Sequence, residues 1–195
     1  MIKVGITGGI GSGKSTVCKV FSAIGIPVFE ADQEAKQLMN ADPELRRQLI
    51  ALFGAAVYLP DQTIDRKYLA GIVFNDPSLL AQLNEIVHPA VRKAFSDWCE
   101  KQNSLYVLHE AAILFESGFY KLMDKTIAVV TRENERMERV MKRDHATAEQ
   151  VKQRMDNQMS DAERIRLADF VISNNNDELI TPQIVDIDKK IRANG

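Results

Sequence analysis

The stretch GITGGIGSGKST, residues 5–16, constrains the fold of this chain more than any other part of the sequence. Gly8, Gly13, Lys14 and Ser15 satisfy the pattern G-x-x-x-x-G-K-[ST]. Such a loop gathers backbone amides around anionic oxygens, because glycine accepts the required φ and lets the backbone approach closely. The sequence therefore predicts a phosphate-binding loop.

The residues on either side of the loop have the periodicities that such a loop requires. The run KVGIT indicates a buried strand; Val17, Val20, Phe21 and Ile24 then lie at helical spacing, and Gly25 is placed to end the helix. The run IPVFEAD indicates a second strand, so the three elements form a βαβ unit and predict a parallel sheet. A glycine-rich turn that matched the pattern by chance would not need this context.

The loop also predicts the ligand class. It leads into the amino terminus of a helix, where unpaired amides and the helix dipole favour negative charge. In a loop of this kind Lys14 reaches the β- and γ-phosphates, and the hydroxyl of Ser15 binds Mg²⁺. ATP with Mg²⁺ is thus an expected ligand, but the loop does not identify the reaction.

The rest of the chain predicts a helical insertion and three further strands. Residues 32–103 carry helix starts at Asp42-Pro43 and Asp76-Pro77, and an apolar helical run that we expect to be interrupted at His88-Pro89. The strands are LYVLHE, KTIAVV and DFVIS. Capping-box spacing at Thr147 and at Ser160 marks two later helices.

These elements predict an α/β fold of the P-loop NTPase type, in three layers. It comprises a parallel five-stranded sheet, a helical acceptor-binding insertion and a helical lid. We expect a core of residues 1–31, 104–131 and 158–195, an acceptor subdomain of residues 32–103, and a lid of residues 132–157.

Composition excludes several classes of partner. The 195 residues carry a net charge of −2, so we expect no nucleic-acid partner. No apolar run approaches the ~20 residues of a membrane span, and the first residues do not resemble a signal peptide. The two cysteines, Cys18 and Cys99, lack metal-site spacing, which favours buried, inactive thiols. The cytoplasm is the expected location.

A phosphate-binding loop serves hydrolysis or transfer, and the sequence favours transfer. The signatures D-x-x-G and N-K-x-D of GTPase switches and LSGGQ of transporter ATPases are absent from the sequence. In VFEAD, Glu30 and Asp32 are two residues apart at the carboxyl end of the second strand, so both side chains are expected to point the same way. A carboxylate there can orient a hydroxyl or accept its proton. Alternatively, Asp32 caps a helix beginning near Ala35.

A stripe of arginines indicates a second functional element. Arg132, Arg136, Arg139 and Arg143 lie on one helical face, as solvated charge runs often do. The first three have acidic neighbours at helical spacing: Glu133 for Arg136, and Glu135 for the other two. Arg143 has none at three or four residues in either direction. An arginine without a local partner is suited to the oxygens of a transferring phosphate, with the segment acting as a lid.

Seven stretches in order resemble one family of the nucleoside monophosphate kinase-like P-loop kinases, the dephospho-CoA kinases. They are GITGGIGSGKSTV, FEADQEAKQL, LNEIVHPAV, ILFESG, RVMKRD, RMDNQ and ADFVISNN. The resemblance extends over nearly the full chain. It implies transfer of the ATP γ-phosphate to the ribose 3′-hydroxyl of dephospho-CoA, the final step of coenzyme A synthesis, with Mg²⁺.

The resemblance also assigns residues. It implies that Asp32 lies at the acceptor hydroxyl, that Arg139 and Arg143 belong to the lid, and that Arg66 and His88 lie in the acceptor subdomain. It places Asn174 and Asn175 near the adenine. The residues it implies for the ATP loop are Gly11, Ser12, Gly13, Lys14, Ser15 and Thr16. From the residues alone, a histidine before proline is more often a helix-end or hydrogen-bonding residue than a ligand.

Three departures from the family pattern stand out. Glu30 replaces a usual aspartate, Ala112 replaces a usual proline, and Asn176 stands where glycine is common, so a left-handed backbone is expected at Asn176. Two other functions stay open at this point. One is a small-molecule kinase with a nucleotide or nucleoside acceptor, and the other is a nucleotide-binding regulatory module without transfer activity.

Overall fold

Five short strands form one parallel sheet in the computed structural model, which describes residues 1–73 and 76–193. In chain order the strands are β1 (Ile2–Thr7), β2 (Val28–Glu30), β3 (Tyr106–Glu110), β4 (Lys125–Val130) and β5 (Phe170–Ser173). Their spatial order is β2-β3-β1-β4-β5, and each neighbouring pair is parallel. The predicted α/β fold with a five-stranded parallel sheet is confirmed.

The register brings the ends of several strands to one edge. Ile6 of β1 pairs with Glu110 of β3, and Thr7 pairs with Ala128 of β4. Glu30, the last residue of β2, also pairs with Glu110. Ligands of open α/β sheets bind beyond the carboxyl ends of the strands, where the strand order reverses. The phosphate-loop sequence begins at this edge, directly after β1.

The described helices are, in chain order, α1 (Lys14–Ala23), α2 (Ala31–Ala41), α3 (Pro43–Phe53), α4 (Arg66–Val73), α5 (Pro77–Cys99), α6 (Glu133–Asp144), α7 (Ala148–Asp156), α8 (Asp161–Leu167) and α9 (Ile180–Ala193). The chain divides into two units. The sheet unit comprises Met1–Glu30 and the chain from Gln102 onward, and the helical unit comprises Ala31–Lys101. The predicted limits of core, acceptor subdomain and lid stay predictions.

Helix α1 begins and ends as the glycines predict. Gly25 has φ 89°, its N–H donates to the carbonyl of Ser22, and the N–H of Ile26 donates to the carbonyl of Phe21. This pair of bonds is a Schellman ending, which requires a left-handed residue after the helix. The buried face of α1 carries Val17, Cys18 and Phe21.

The core of the sheet unit joins α1 and α9 to one face of the sheet. Helix α9 contributes Ile184, Ile187 and Ile191, which are buried there. The strand residues that complete this cluster are Val4, Ile6, Tyr106, Leu108, Ile127, Val129 and Ile172. Burying this many large apolar side chains, at roughly 1.5–3 kcal/mol each, fixes the two helices against the sheet.

The later helices of the sheet unit start where the capping boxes predict. The Thr147 hydroxyl accepts from the N–H of Gln150 at 3.3 Å, and the Gln150 side chain accepts from the N–H of Thr147 at 3.0 Å. Ser160 and Glu163 make the same exchange at the start of α8. Each box satisfies two amides that the helix itself leaves unpaired.

In the helical unit, the predicted Asp-Pro starts are confirmed. Asp42 accepts hydrogen bonds from the first amides of α3, and Asp76 does so for α5. The expected interruption at His88-Pro89 is wrong, because α5 continues through Pro89 to Cys99. Proline removes one helical hydrogen bond, but a stripe of buried residues on both sides of it holds the helix together: Val87, Val91, Phe95 and Cys99.

Candidate functional site

The phosphate loop adopts the backbone that its glycines predict. Gly11 and Gly13 have φ of 79° and 78°, a region that other residues enter only with strain. A Cβ at Gly13 would overlap the amide nitrogen of Asn174, and a Cβ at Gly8 would lie 2.5 Å from the Ser12 hydroxyl. Gly13 therefore needs glycine for both conformation and space, and Gly8 needs it for space.

The loop presents the start of α1 to an anion. Gly13 is the N-cap, no side chain caps the first turn, and that turn holds no acidic residue. The hydroxyl of Ser12 is buried without a hydrogen-bond partner within the described residues. Ser15 and Thr16, the next hydroxyl residues, are exposed. Amides and hydroxyls placed in this way fit the oxygens of a polyphosphate.

Lys14 has a partner that the sequence did not predict. Its ammonium group forms an ion pair with the carboxylate of Glu110, and both side chains are largely buried. Glu110 ends β3 next to β1, so the register places it beside the loop. An acid at the carboxyl end of a mostly apolar strand was the available signal. The pair orients Lys14 before any phosphate binds.

The loop is also fixed to the end of β5. The carbonyl of Ser12 accepts from the Asn174 amide at 2.8 Å and from the Thr131 hydroxyl at 3.0 Å. Asn175 instead serves its own turn, donating to Ser173 and Glu178 and accepting from the N–H of Arg132. Of the two predicted adenine residues, Asn174 therefore touches the phosphate loop.

The turn after Asn175 differs from expectation. Asn176 does not have a left-handed backbone; within the described chain, the residues other than glycine with positive φ are Gln62 and His145. The N–H of Asn176 donates to Glu135 at 2.9 Å, and its side-chain oxygen accepts from Arg139 at 2.7 Å. These bonds hold the turn without a left-handed residue.

Arg139 is engaged with that turn. Its Nη2 donates to the carbonyl of Asn174 at 2.9 Å and lies 3.2 Å from the carboxylate of Glu135. Arg132 also contacts Glu135, at 3.5 Å, and Asp177 at 3.0 Å. The predicted pairing of both arginines with Glu135 is confirmed, and this buried acid joins α6 to the turn after β5.

The prediction that Arg143 lacks an acidic partner is wrong. Its guanidinium forms two hydrogen bonds, of 2.7 and 3.0 Å, with Asp144, the next residue. Asp144 also receives Arg154 of α7 at 2.9 Å. These arginines hold the pKa of Asp144 below its usual range, Arg143 being the larger cause. The search at helical spacings missed this partner because a bidentate pair of neighbours needs no shared helical face.

Arg136 is not part of a solvated stripe. It is 6% exposed, and its guanidinium lies 2.8 Å from Asp161 of α8 rather than at the expected Glu133. The sequence pattern predicted its helix and its neighbours, but not a partner 25 residues away. Of the four arginines, Arg136 is buried and Arg139 is bound to the turn after β5. Arg132 and Arg143 are exposed.

The remaining predicted residues belong to the helical unit. Asp32 and Arg66 are exposed in the first turns of α2 and α4, and His88 is half-buried in α5. The alternative that Asp32 caps a helix near Ala35 is wrong, because α2 begins at Ala31. The strand argument for Glu30 and Asp32 also fails, since β2 ends at Glu30.

The pKa of His88 is lowered in the folded protein. Burial, with a smaller contribution from the positive charge of Arg92, lowers the pKa of its imidazole below the usual value. A neutral imidazole both donates and accepts hydrogen bonds. It therefore suits a hydroxyl or amide of a ligand as well as a phosphate.

The described residues also bear on metals and membranes. No group of three or more histidine, cysteine, aspartate or glutamate side chains that could hold a metal ion occurs within them. In residues 1–73 and 76–193 no helix is both long and apolar enough to cross a bilayer.

Comparisons with known proteins identify the family of the chain. The sequence model of the CoaE family, dephospho-CoA kinase, matches residues 2–179. Dephospho-CoA kinase of Porphyromonas gingivalis is 40% identical over 194 residues, covering 99% of this chain and 96% of that protein. TT1252 from Thermus thermophilus has a similar crystal structure, with a TM-score of 0.85, 33% identity, and coverage of 99% of this chain and 97% of that one. Dephospho-CoA kinase from Campylobacter jejuni gives 0.71 at 28% identity, covering 99% and 98%. The family model and these relatives match nearly the whole length of the chain, including its phosphate loop and parallel sheet. The chain therefore belongs to the dephospho-CoA kinase family.

Proposed function

We propose that the protein transfers the γ-phosphate of ATP to the 3′-hydroxyl of the ribose of dephospho-CoA, the last step of coenzyme A synthesis. The observation that carries the proposal is the preformed phosphate loop, with Lys14 held at its mouth by Glu110. Family membership supplies the acceptor. A cytoplasmic location stays a prediction.

ATP binding would use groups that already converge. The loop from Gly8 to Thr16 offers its amides to the β- and γ-phosphates, and Lys14 adds a positive charge. Arg139, Asn174 and Asn175 surround the turn that we assign to the adenine side. Because the Asn174 amide binds the carbonyl of Ser12, the proposed base and phosphate subsites share a residue.

Mg²⁺ fits the same place. The exposed hydroxyl of Ser15 would hold the ion together with phosphate oxygens and water. When bound, the ion neutralises charge on the phosphates. Glu110 is an acid close to Lys14 and would limit how far that lysine moves toward the ligand.

We assign the acceptor to the helical unit. Asp32 follows β2 by two residues, and the carboxyl end of β2 lies at the sheet edge where the phosphate loop begins. Its exposed carboxylate would accept a hydrogen bond from the 3′-hydroxyl and orient the oxygen toward the γ-phosphate. Arg66 and His88 would bind other parts of the acceptor.

Arg143 would act during transfer. It is 63% exposed in its side chain and held by Asp144, so a more strongly charged ligand can compete for it. Exchange of Asp144 for the oxygens of the transferring group would stabilise the charge that develops there. Closure of the predicted lid would also exclude water and limit wasteful ATP hydrolysis.

A transfer assay tests the proposal. The protein is incubated with γ-labelled ATP, Mg²⁺ and dephospho-CoA, and the label is followed into product. We expect label on dephospho-CoA and far less on adenosine or on a panel of nucleoside monophosphates. Coenzyme A is the matched negative acceptor, because its 3′-oxygen already carries a phosphate.

The outcomes separate the alternatives. Preference for a nucleoside monophosphate would replace the acceptor but keep the kinase. ATP binding without turnover on any acceptor would support a regulatory module instead. A Lys14→Met variant, expected to lose transfer, controls for a contaminating kinase.

A further inference from the structure

Two buried arginines lie behind the phosphate loop, and the nucleotide-binding pattern includes neither. Arg164 of α8 is fully buried, and Arg136 of α6 is 6% exposed. Asp161 pairs with both guanidinium groups, at 2.8 Å from Arg136 and 2.9 Å from Arg164. Arg164 also lies 3.5 Å from Glu116. Buried ion pairs contribute little net stability, because desolvation offsets their attraction. We therefore attribute the presence of these arginines to the backbone groups that they position.

The guanidinium of Arg136 binds the loop backbone, and that of Arg164 lies close to it. The Nε of Arg136 donates to the carbonyl of Ile10 at 2.9 Å. A Cβ at Gly9 would overlap the Nη2 of Arg136 and lie 3.1 Å from the Nη1 of Arg164. A Cβ at Gly11 would lie 2.6 Å from the backbone oxygen of Arg136. Three successive loop residues thus rest directly on these arginines and on the backbone of α6.

Ile10 is fixed from three directions. Its carbonyl accepts from Arg136, and its N–H donates to the side chain of Gln158 at 2.8 Å. Its side chain packs against a cluster between α6 and α7, formed by Val140, Val151 and Met155. A residue that the binding pattern leaves unspecified is therefore the point where the loop joins the helices of the predicted lid.

We propose that Arg136 is a positioning residue for nucleotide binding. With Arg164 and Gln158 it keeps Gly9 and Ile10 in the conformation in which the loop amides converge, before the nucleotide arrives. A glycine-rich loop that had to be ordered by the ligand would bind more weakly, since that ordering reduces affinity. The inference rests on the proposed use of this loop for ATP.

Substitution of Arg136 tests the role. Arg136→Met keeps an unbranched apolar stem but removes the guanidinium, and it leaves Asp161 paired with Arg164. We expect the dissociation constants of ATP and of inorganic tripolyphosphate, measured by calorimetry, to rise about tenfold, the size of one lost charged hydrogen bond. The kcat at saturating ATP should change less than about threefold, and Arg136→Lys should recover part of the affinity.

Arg166→Met is the matched control, because Arg166 is an exposed arginine of the same helix as Arg164. It should bind both ligands like the unmodified protein. Unchanged tripolyphosphate affinity in Arg136→Met, with only a lower melting temperature, would overturn the proposal. If Arg136→Met does not fold, Gly9→Ala decides: weaker binding of both ligands is expected, and unaltered binding overturns the idea.

These measurements contain no acceptor. An error in the proposed acceptor would leave their result unchanged. Conversely, unaltered binding in the variants would leave the transfer assay with dephospho-CoA unaffected. Failure of the two proposals is therefore distinguishable.

Discussion

The phosphate loop and the predicted acceptor residues are held in contrasting ways. In the sheet unit, the carbonyl of Ser12 accepts two side-chain hydrogen bonds, and Ile10 is bonded through both backbone groups. In the helical unit, Asp32 and Arg66 are exposed side chains on separate helices. The proposed donor side is fixed by the fold, while the proposed acceptor side presents exposed side chains that a ligand would have to order.

This contrast has a consequence for specificity. A preformed loop binds any ligand with a suitable polyphosphate, because backbone amides recognise the phosphates and no other part. Exposed side chains lose rotamer freedom on binding, about 0.5–1.5 kcal/mol each, and only a matching acceptor offsets that cost. We therefore expect variants of the loop to alter ATP affinity and variants of the helical unit to alter transfer.

The largest effect is expected at Asp32. Asp32→Asn should lower kcat by roughly 10²-fold or more, as for a positioned general base, and should leave the dissociation constant of ATP nearly unchanged. Glu34→Gln, on the same first turn of α2, is the control and should transfer at the normal rate. Equal loss of ATP affinity and turnover in Asp32→Asn would contradict the proposal that the loop controls ATP affinity and the helical unit controls transfer.

The next largest difference between the two units is expected in how their stability depends on acidic pH. His109 is fully buried between the rings of Phe29 and Phe119, at centroid distances of 5.6 and 4.3 Å. Burial, with a smaller effect of Lys14, lowers its pKa from 6.5 to about 4. The folded protein therefore binds this proton less readily than the unfolded chain, and stability falls as pH decreases from 6.5 toward 4.

From pH 7 to pH 5 the expected loss from His109 is about 2 kcal/mol in the free energy of unfolding, measured with urea at each pH. His109→Phe keeps a ring in the stack and should remove most of that dependence. His88→Gln is the comparison in the helical unit, and it should remove less because His88 is only half-buried. An identical pH dependence in His109→Phe would contradict the assignment.

A pair of glycines tests whether the loop itself carries ATP affinity. Gly13→Ala forces a side chain into a left-handed residue and against Asn174, so ATP binding should weaken about tenfold or more, measured by calorimetry. Gly25→Ala introduces similar strain, at φ 89°, but nothing lies within 4 Å of its Cβ. It should lower the melting temperature and leave ATP affinity unchanged. An equal loss of ATP affinity in both variants would show that backbone strain, and not the geometry of the loop, causes the effect.

The smallest effect is expected at Arg143. Arg143→Ala should lower kcat about fivefold, with little change in melting temperature, because exposed ion pairs contribute at most about 1 kcal/mol to stability. Lys142→Ala, on the exposed side of the same helix turn, is the control. Loss of stability without loss of kcat would make the pair with Asp144 structural, and would remove Arg143 from the transfer step.

Local patterns predicted most of the fold. Alternation and apolar runs located the strands, and the caps at Asp42, Asp76, Thr147 and Ser160 located helix starts, because both signals depend on residues close in sequence. The phosphate loop was predictable for the same reason, since its geometry depends on its own glycines. Pro89 misled the prediction because packing along α5 outweighs one missing hydrogen bond.

The partners of charged residues were less predictable. Arg136 meets Ile10 and Asp161, and Lys14 meets Glu110, across distances in sequence that no helical spacing reveals. Such contacts depend on which strands become neighbours. The sequence therefore predicted where the charges occur, while the fold determined whether each is buried, paired or exposed.

The two buried cysteines can serve as chemical probes of the opening of each unit. Cys18 lies in α1 of the sheet unit, and Cys99 ends α5 of the helical unit. Burial, reinforced by the charge of Glu110, raises the pKa of the Cys18 thiol to about 12, so its reactive thiolate is scarce at neutral pH. Alkylation of either thiol then requires the surrounding unit to open, and peptide mapping after timed exposure to a thiol reagent would report the opening of each unit separately in one unmodified molecule.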